Sequence, residues 1–149
     1  NQYYNSELIN FTLLNINKLK EPNDFILIAP DDGASKKIYK VAEKIGYKGD
    51  IIVCSKSRDA EGKLSKVNVP GIGFNNVKDL IIIDDICDGG ATFNNIKKTI
   101  LDKRNSGHFG KFYLIITHGI FSKGLKELSE YFDGIYANNR NKNEEPLRL

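Results

Sequence analysis

Two adjacent carboxylates, Asp84 and Asp85, follow four aliphatic residues in the stretch LIIIDDICDGGATF at residues 80–93. Asp88, Gly89, Gly90, Ala91 and Thr92 come directly after. The two halves suit different chemistry. In a glycine-rich turn ahead of a helix, successive backbone N–H groups converge on one anion, and the helix adds its positive end. Larger side chains would block that approach, so Asp88 to Thr92 read as a phosphate cradle, with the Thr92 hydroxyl as an extra donor. Carboxylates accept hydrogen bonds from vicinal hydroxyls and help to hold a hydrated Mg2+. Asp84 and Asp85 beside a phosphate cradle therefore describe a site for a ribose phosphate. The plainer reading is an acidic surface turn and a helix cap, since Asp-Gly and Gly-Gly are common turns. The apolar strand before the motif and the amphipathic helix after it weigh against that reading.

The elements that must position these residues alternate along the chain. Residues 6–19 have the length of a helix, with Ser6 as its N-cap. DFILIAP (24–30) is a buried strand stopped by Pro30. In 35–46, Ile38, Val41, Ala42 and Ile45 follow helical spacing up to Gly46. DIIVC (50–54) is a second strand, and the polar 55–66 reads as an exposed loop. Residues 80–84 form the central strand, 93–101 a helix and 111–117 another strand. A helix starting at Ser122 carries Leu125, Leu128 and Phe132, and GIYA (134–137) is a short last strand. The remaining tail has little to pack.

Strands that are apolar on both sides and alternate with helices predict an α/β fold, a parallel sheet flanked by helices on both faces. In such sheets ligands bind beyond the carboxyl ends of the strands. APDDGASKK (29–37), SKSR (55–58), DDICDGGAT (84–92) and THGIFS (117–122) all fall at such ends. One rim should therefore gather them. Lys56 and Arg58 would bring positive charge there, although solvated loop charge is the commoner fate of such residues. Asp31 and Asp32 could equally start a turn. His118 is read as a structural hydrogen-bond partner, His108 as a surface loop residue and Cys87 as a packing residue.

Composition narrows the function classes. The chain has 149 residues, 40% of them hydrophobic and 28% charged, as expected for one globular domain. A net charge of +3, mixed in sign along the chain, does not point to nucleic acid. No apolar run approaches the ~20 residues of a membrane span. Two cysteines, Cys54 and Cys87, suit a reducing cytoplasm. The chain starts at Asn1 and contains no methionine, so a fragment or a processed product is expected.

IIIDDICDGGAT resembles the phosphoribosyl-pyrophosphate motif of type I phosphoribosyltransferases, in which two acidic residues after a strand precede a Thr-Gly-Gly-Thr-like turn. Within that superfamily the chain is most similar to the ribose-phosphate pyrophosphokinases, and specifically to their C-terminal domain. APDDGASKK resembles their metal- and diphosphate-handling segment, SKSR has the Lys-x-Arg spacing of their catalytic loop, and THGIFS resembles a segment ahead of their last helices. The resemblance runs in order from about residue 24 to 137. It implies diphosphoryl transfer from ATP to ribose 5-phosphate, giving phosphoribosyl pyrophosphate and AMP, with Mg2+ as cofactor. It further implies catalytic roles for Lys56 and Arg58, metal binding by Asp31, and substrate binding by Asp84, Asp85, Asp88, Gly89, Gly90, Ala91 and Thr92. The single domain of residues 1–149 would then be the C-terminal half of a two-domain protein that forms homo-oligomers. Four positions depart from the family pattern. Gly89 stands where Thr is usual and Ala91 where Gly is usual, Ala34 replaces a second Gly, and Asp32 adds a negative charge. Two alternatives stand beside this reading: a phosphoribosyltransferase using phosphoribosyl pyrophosphate and a base, and a non-catalytic regulatory subunit that binds phosphoribosyl pyrophosphate.

Overall fold

The computed structural model describes residues 25–70, 78–87, 91–103, 110–119, 126–137 and 147–148. The expected helix over 6–19, the Ser122 cap, Leu125, His108 and the cradle residues Asp88, Gly89 and Gly90 lie outside them. The described chain runs β1 (Phe25–Ala29), α1 (Asp32–Ile45), β2 (Ile51–Val53), β3 (Ser55–Arg58), β4 (Leu64–Asn68), β5 (Asp79–Cys87), α2 (Ala91–Lys103), β6 (Phe112–Gly119), α3 (Lys126–Tyr131), β7 (Gly134–Ala137) and β8 (Leu147–Arg148).

The main sheet has the order β2-β1-β5-β6-β7-β8. The first five of these strands are mutually parallel, and β8 joins the β7 edge antiparallel. This is the expected parallel sheet with helices on both faces. Side chains on successive strand residues point to opposite faces, and both faces are covered. Leu27, Ile81, Ile83 and Ile115 pack with Ile38 and Val41 of α1. Ile26, Ile82, Leu114 and Ile116 pack on the other side with Phe93, Ile96 and Ile100 of α2 and Leu128 of α3. Coverage on both sides is why the strands read as unbroken aliphatic runs rather than as alternating patterns.

Three expectations are corrected. First, α1 starts at Asp32 rather than near Ser35, because Asp31 adopts the extended N-cap conformation and its Oδ1 accepts the Ala34 N–H at 2.9 Å. The helix stops as expected at Gly46, whose φ of 71° is the left-handed conformation that ends helices.

Second, residues 55–66 are not an irregular loop. β3 and β4 form an antiparallel hairpin, pairing Ser55 with Asn68 and Lys56 with Val67, with a bulge between Ser57 and Arg58. The turn is closed by Asp59, whose Oδ1 accepts the N–H groups of Glu61 and Lys63 at 3.0 and 2.8 Å. The hairpin is rooted by Val67 and Val69, which are buried in the α2-side core. Their alternation begins just beyond the charged stretch, which is why that stretch alone reads as a loop.

Third, β5 does not end at Asp84. It continues to Cys87, pairing Asp84 with Ile116, Ile86 with His118 and Cys87 with Gly119 of β6. The acidic pair therefore sits within the strand.

The starts of β5 and β6 meet tightly. Leu80 N–H donates to the Lys111 carbonyl at 2.8 Å, and Lys111 N–H donates to Asp79 Oδ1 at 2.8 Å. A Cβ on Gly110 would lie only 2.1 Å from the Lys78 carbonyl oxygen, a backbone atom that cannot swing away. Gly110→Ala is thus expected to lose about 1–3 kcal/mol, the usual range for forced overpacking. Chemical denaturation should show this as a lower midpoint at unchanged slope. An unchanged midpoint would contradict the tight junction.

Candidate functional site

The site forms where neighbouring strands have unequal lengths. β1 last pairs with β5 at Ile28 and Ile82, while β5 runs on with β6 to Cys87. Beyond β1 the flank of β5 is released from the ladder, and Asp84 and Asp85 lie in that step. The chain leaving β1 turns there through Pro30 and Asp31 into α1. The chain leaving β2 enters the hairpin there, and Cys54 N–H donates to the Ala29 carbonyl at 2.9 Å.

Four of the residues singled out in the sequence come together on this rim. Lys56 Nζ lies 3.2 Å from Asp31 Oδ2. Asp31 thus divides its carboxylate, with Oδ1 capping α1 and Oδ2 facing the lysine. Asp84 Oδ1 accepts the Asp85 backbone N–H at 2.8 Å. Asp85 continues the face of Ile81 and Ile83, which packs on α1. There its Oδ2 accepts a hydrogen bond and ion pair from Lys37 Nζ. Lys37 is the residue that sequence reasoning missed. It stands 48 positions from its partner, so no spacing links them. The usable signal is its place in α1, beside the buried Ile38.

Arg58 is placed differently. Its Nη1 donates to the Gly62 carbonyl at 2.9 Å, within the hairpin's own exposed turn. The register shift at this point skips Ser65 of β4, so the ladder is irregular where Arg58 pairs with Leu64. Ala91 and Thr92 open α2, Ala91 exposed and Thr92 half-buried, so a helix does start directly after the glycine pair. His118 is on β6 in register with Ile86.

The carboxylates differ electrostatically despite being neighbours. Asp84 is pushed up to about 7, first by burial, then by its hydrogen bond to Asp85 and the charges of Asp85 and Asp31. Burial also works to raise Asp85, but the hydrogen bond and charge of Lys37, with the hydrogen bond to Asp84, hold it below the usual carboxylate range. Of the two, Asp84 is therefore the one that takes up a proton first as pH falls, and Asp85 the one that stays ionised. The pairs on the rim are also unequal to buried ones. The side chains of Lys56 and Asp31 are 23% and 37% exposed, so their ion pair contributes about 0–1 kcal/mol.

Mg2+ typically takes one or two carboxylate oxygens and completes its shell with water and substrate phosphates. Asp31 offers a hard oxygen donor of that kind. Among the described residues there is no group of three or more His, Cys, Asp or Glu placed to hold a metal. Asp31 as a donor fits a cation held jointly with a phosphate ligand.

The raised Asp84 gives a pH dependence of defined sign. From its ordinary 3.8 in the unfolded chain to about 7 in the folded one, the native state holds the extra proton. Its stabilisation is present below pH ~4 and lost as pH rises to about 7. Asp85 acts in the opposite sense at lower pH, stabilising above about 4 and losing that as pH falls through its depressed native value. Asp84→Asn should therefore flatten the decline between pH 4 and 7. At pH 8 it should be more stable than the parent chain by on the order of 1–3 kcal/mol. Urea midpoints across this range test the expectation, and parallel curves for the two proteins would refute it.

No protein-family model matches the chain. Among curated proteins, a ribose-phosphate pyrophosphokinase of Mycoplasmopsis pulmonis is 33% identical over 101 residues, which is 68% of this chain and 30% of the relative. The chain spans about a third of the length of the curated relatives it matches. Among solved structures, phosphoribosylpyrophosphate synthetase from Mycobacterium smegmatis superposes with a TM-score of 0.68 at 18% identity, over 90% of this chain and 40% of that one. APRTase from Giardia lamblia gives 0.63 at 13% identity, over 89% and 77% respectively. The overlap of fold, motif order and sequence makes the chain a relative of the ribose-phosphate pyrophosphokinases, built on the type I phosphoribosyltransferase fold.

Proposed function

We propose that this chain supplies the ribose 5-phosphate site and the catalytic hairpin of a ribose-phosphate diphosphokinase, which converts ATP and ribose 5-phosphate into phosphoribosyl pyrophosphate and AMP. The observation that carries the reading is the convergence of Asp84, Asp85, Asp31 and Lys56 on one rim, beside the start of α2. In this reading the turn from Asp88 to Thr92 binds the 5-phosphate, and Asp84 and Asp85 orient the ribose hydroxyls. The sugar 1-hydroxyl then attacks the β-phosphorus of ATP, the bond to the α-phosphate oxygen breaks, and AMP leaves. Phosphoryl transfer depends mainly on positioning and charge neutralisation. Lys56 would leave Asp31 and meet the transferring group, with Arg58 following from the same hairpin. Mg2+, held by Asp31 together with phosphate oxygens, would neutralise the diphosphate. The ATP-binding segments of this family lie mainly in the other domain, so the complete reaction requires a partner domain.

A non-catalytic phosphoribosyl-pyrophosphate-binding subunit is favoured by one specific observation, the engagement of Lys56 with Asp31 and of Arg58 with Gly62 in place of an open cationic pair. Binding and turnover separate the readings. Asp84→Ala and Asp85→Ala should each weaken ribose 5-phosphate by roughly 1.5–3 kcal/mol in calorimetry while leaving inorganic phosphate largely unaffected. Equal losses for both ligands would contradict the division into sugar and phosphate subsites. Residues 1–149 alone should release little AMP from ATP and ribose 5-phosphate. A version joined to an ATP-binding domain should turn over, with Lys56→Ala then slowing it by ~10²–10³-fold. Unchanged turnover in that variant would favour the binding-subunit reading.

A further inference from the structure

Adjacent carboxylates on a strand are chemically identical, yet this pair is held in two different ways. Asp85 faces α1 and is ion-paired to Lys37, with both side chains only about a third exposed (31% for Lys37 and 35% for Asp85). Among the described residues Asp84 has no such cation. Its Oδ1 accepts the Asp85 N–H, and the negative charge of Asp31 bears on it. The lysine is not a loose surface group. Its helix is fixed at the start by the Asp31 cap and along its length by Ala34, Ile38 and Val41 in the core. Lys37 precedes Ile38 directly, so its reach toward β5 is set by a packed backbone.

We propose that Lys37 is a positioning residue that fixes Asp85 and splits the acidic pair into two unlike hydrogen-bonding groups matched to a vicinal diol. The inference rests on the ribose 5-phosphate reading given above and deepens it. Asp85, tied to Lys37 on the α1 side, and Asp84, whose Oδ1 is engaged by the Asp85 N–H, present unlike acceptors to a diol, each hydroxyl of which can donate and accept. Two equal carboxylates would instead repel each other or contend for one proton. The charged groups bearing on the pair are Lys37 from α1 and Asp31 from the β1–α1 junction, the latter itself paired with Lys56 from β3. Among the described residues Lys37 is the cation in direct contact with the pair, at Asp85, so its removal should be felt mainly there.

The test uses the full chain with 13C-labelled aspartate and the variants Lys37→Met and Lys37→Arg. Carboxyl resonances are titrated by NMR, and ribose 5-phosphate and inorganic phosphate are titrated by calorimetry across the same pH range. In Lys37→Met the Asp85 transition should move to higher pH. Ribose 5-phosphate affinity should fall about tenfold, the loss expected for one positioned charged hydrogen bond, with phosphate affinity changed less than about twofold. Lys37→Arg should restore both the titration and most of the sugar-phosphate affinity. If Lys37→Met does not fold, the parent chain still decides the matter, because the Lys37 ammonium signal must shift as Asp85 titrates. The proposal is overturned if the Asp85 transition is unmoved in Lys37→Met, if Lys37→Arg rescues nothing, or if the ammonium signal ignores Asp85. Failure of the parent chain to bind ribose 5-phosphate would overturn the site reading itself, while the carboxyl titrations would still report on the lysine.

Discussion

Placing two carboxylates directly after Leu80–Ile83, a run buried on both faces of the sheet, is the constraint to which the rest of this molecule answers. Charge cannot be taken out of water without a partner. The fold meets this in three ways. β1 stops short, so the flank of β5 beyond Ile82 is open. A lysine from α1 reaches one carboxylate. The other carboxylate keeps a proton into the neutral range. None of these would be needed if serine or asparagine stood at positions 84 and 85.

The same economy governs the second ion pair. Asp31 caps a helix with one oxygen and engages Lys56 with the other, so one residue joins a structural task to a site task. The helix start, the strand step and the hairpin are thereby brought into one neighbourhood by side chains that lie far apart in the sequence. Anionic and cationic side chains from three elements thus lie close together on one rim.

Much of the architecture was legible because buried parallel strands are written as plain aliphatic runs. FILIA and GIYA match β1 and β7 residue for residue apart from their flanks. What could not be read has local causes. The start of α1 was misplaced because aspartate serves turns and caps alike, and the choice depends on the backbone at Asp31. β5 was cut at Asp84 because carboxylates are depleted in strands, and only pairing with β6 reveals that it continues. The hairpin was missed because its anchors, Val67 and Val69, follow the charged stretch instead of lying within it. At the rim, the acidic pair, Asp31 and Lys56 were legible from strand-end logic. Lys37 was not, since a contact between a helix and a non-adjacent strand leaves no periodic trace.

The hairpin bears on how charge reaches the rim. A disordered catalytic loop must lose backbone freedom, about 1–2 kcal/mol per residue, each time it engages a ligand. Lys56 instead sits on a strand already laddered to β4 and rooted in the core by valines. Its backbone ordering is met by folding, before any ligand arrives. On the function proposed above, the ammonium would pass from Asp31 to a neighbouring anion by side-chain rotation on a backbone that is already ordered.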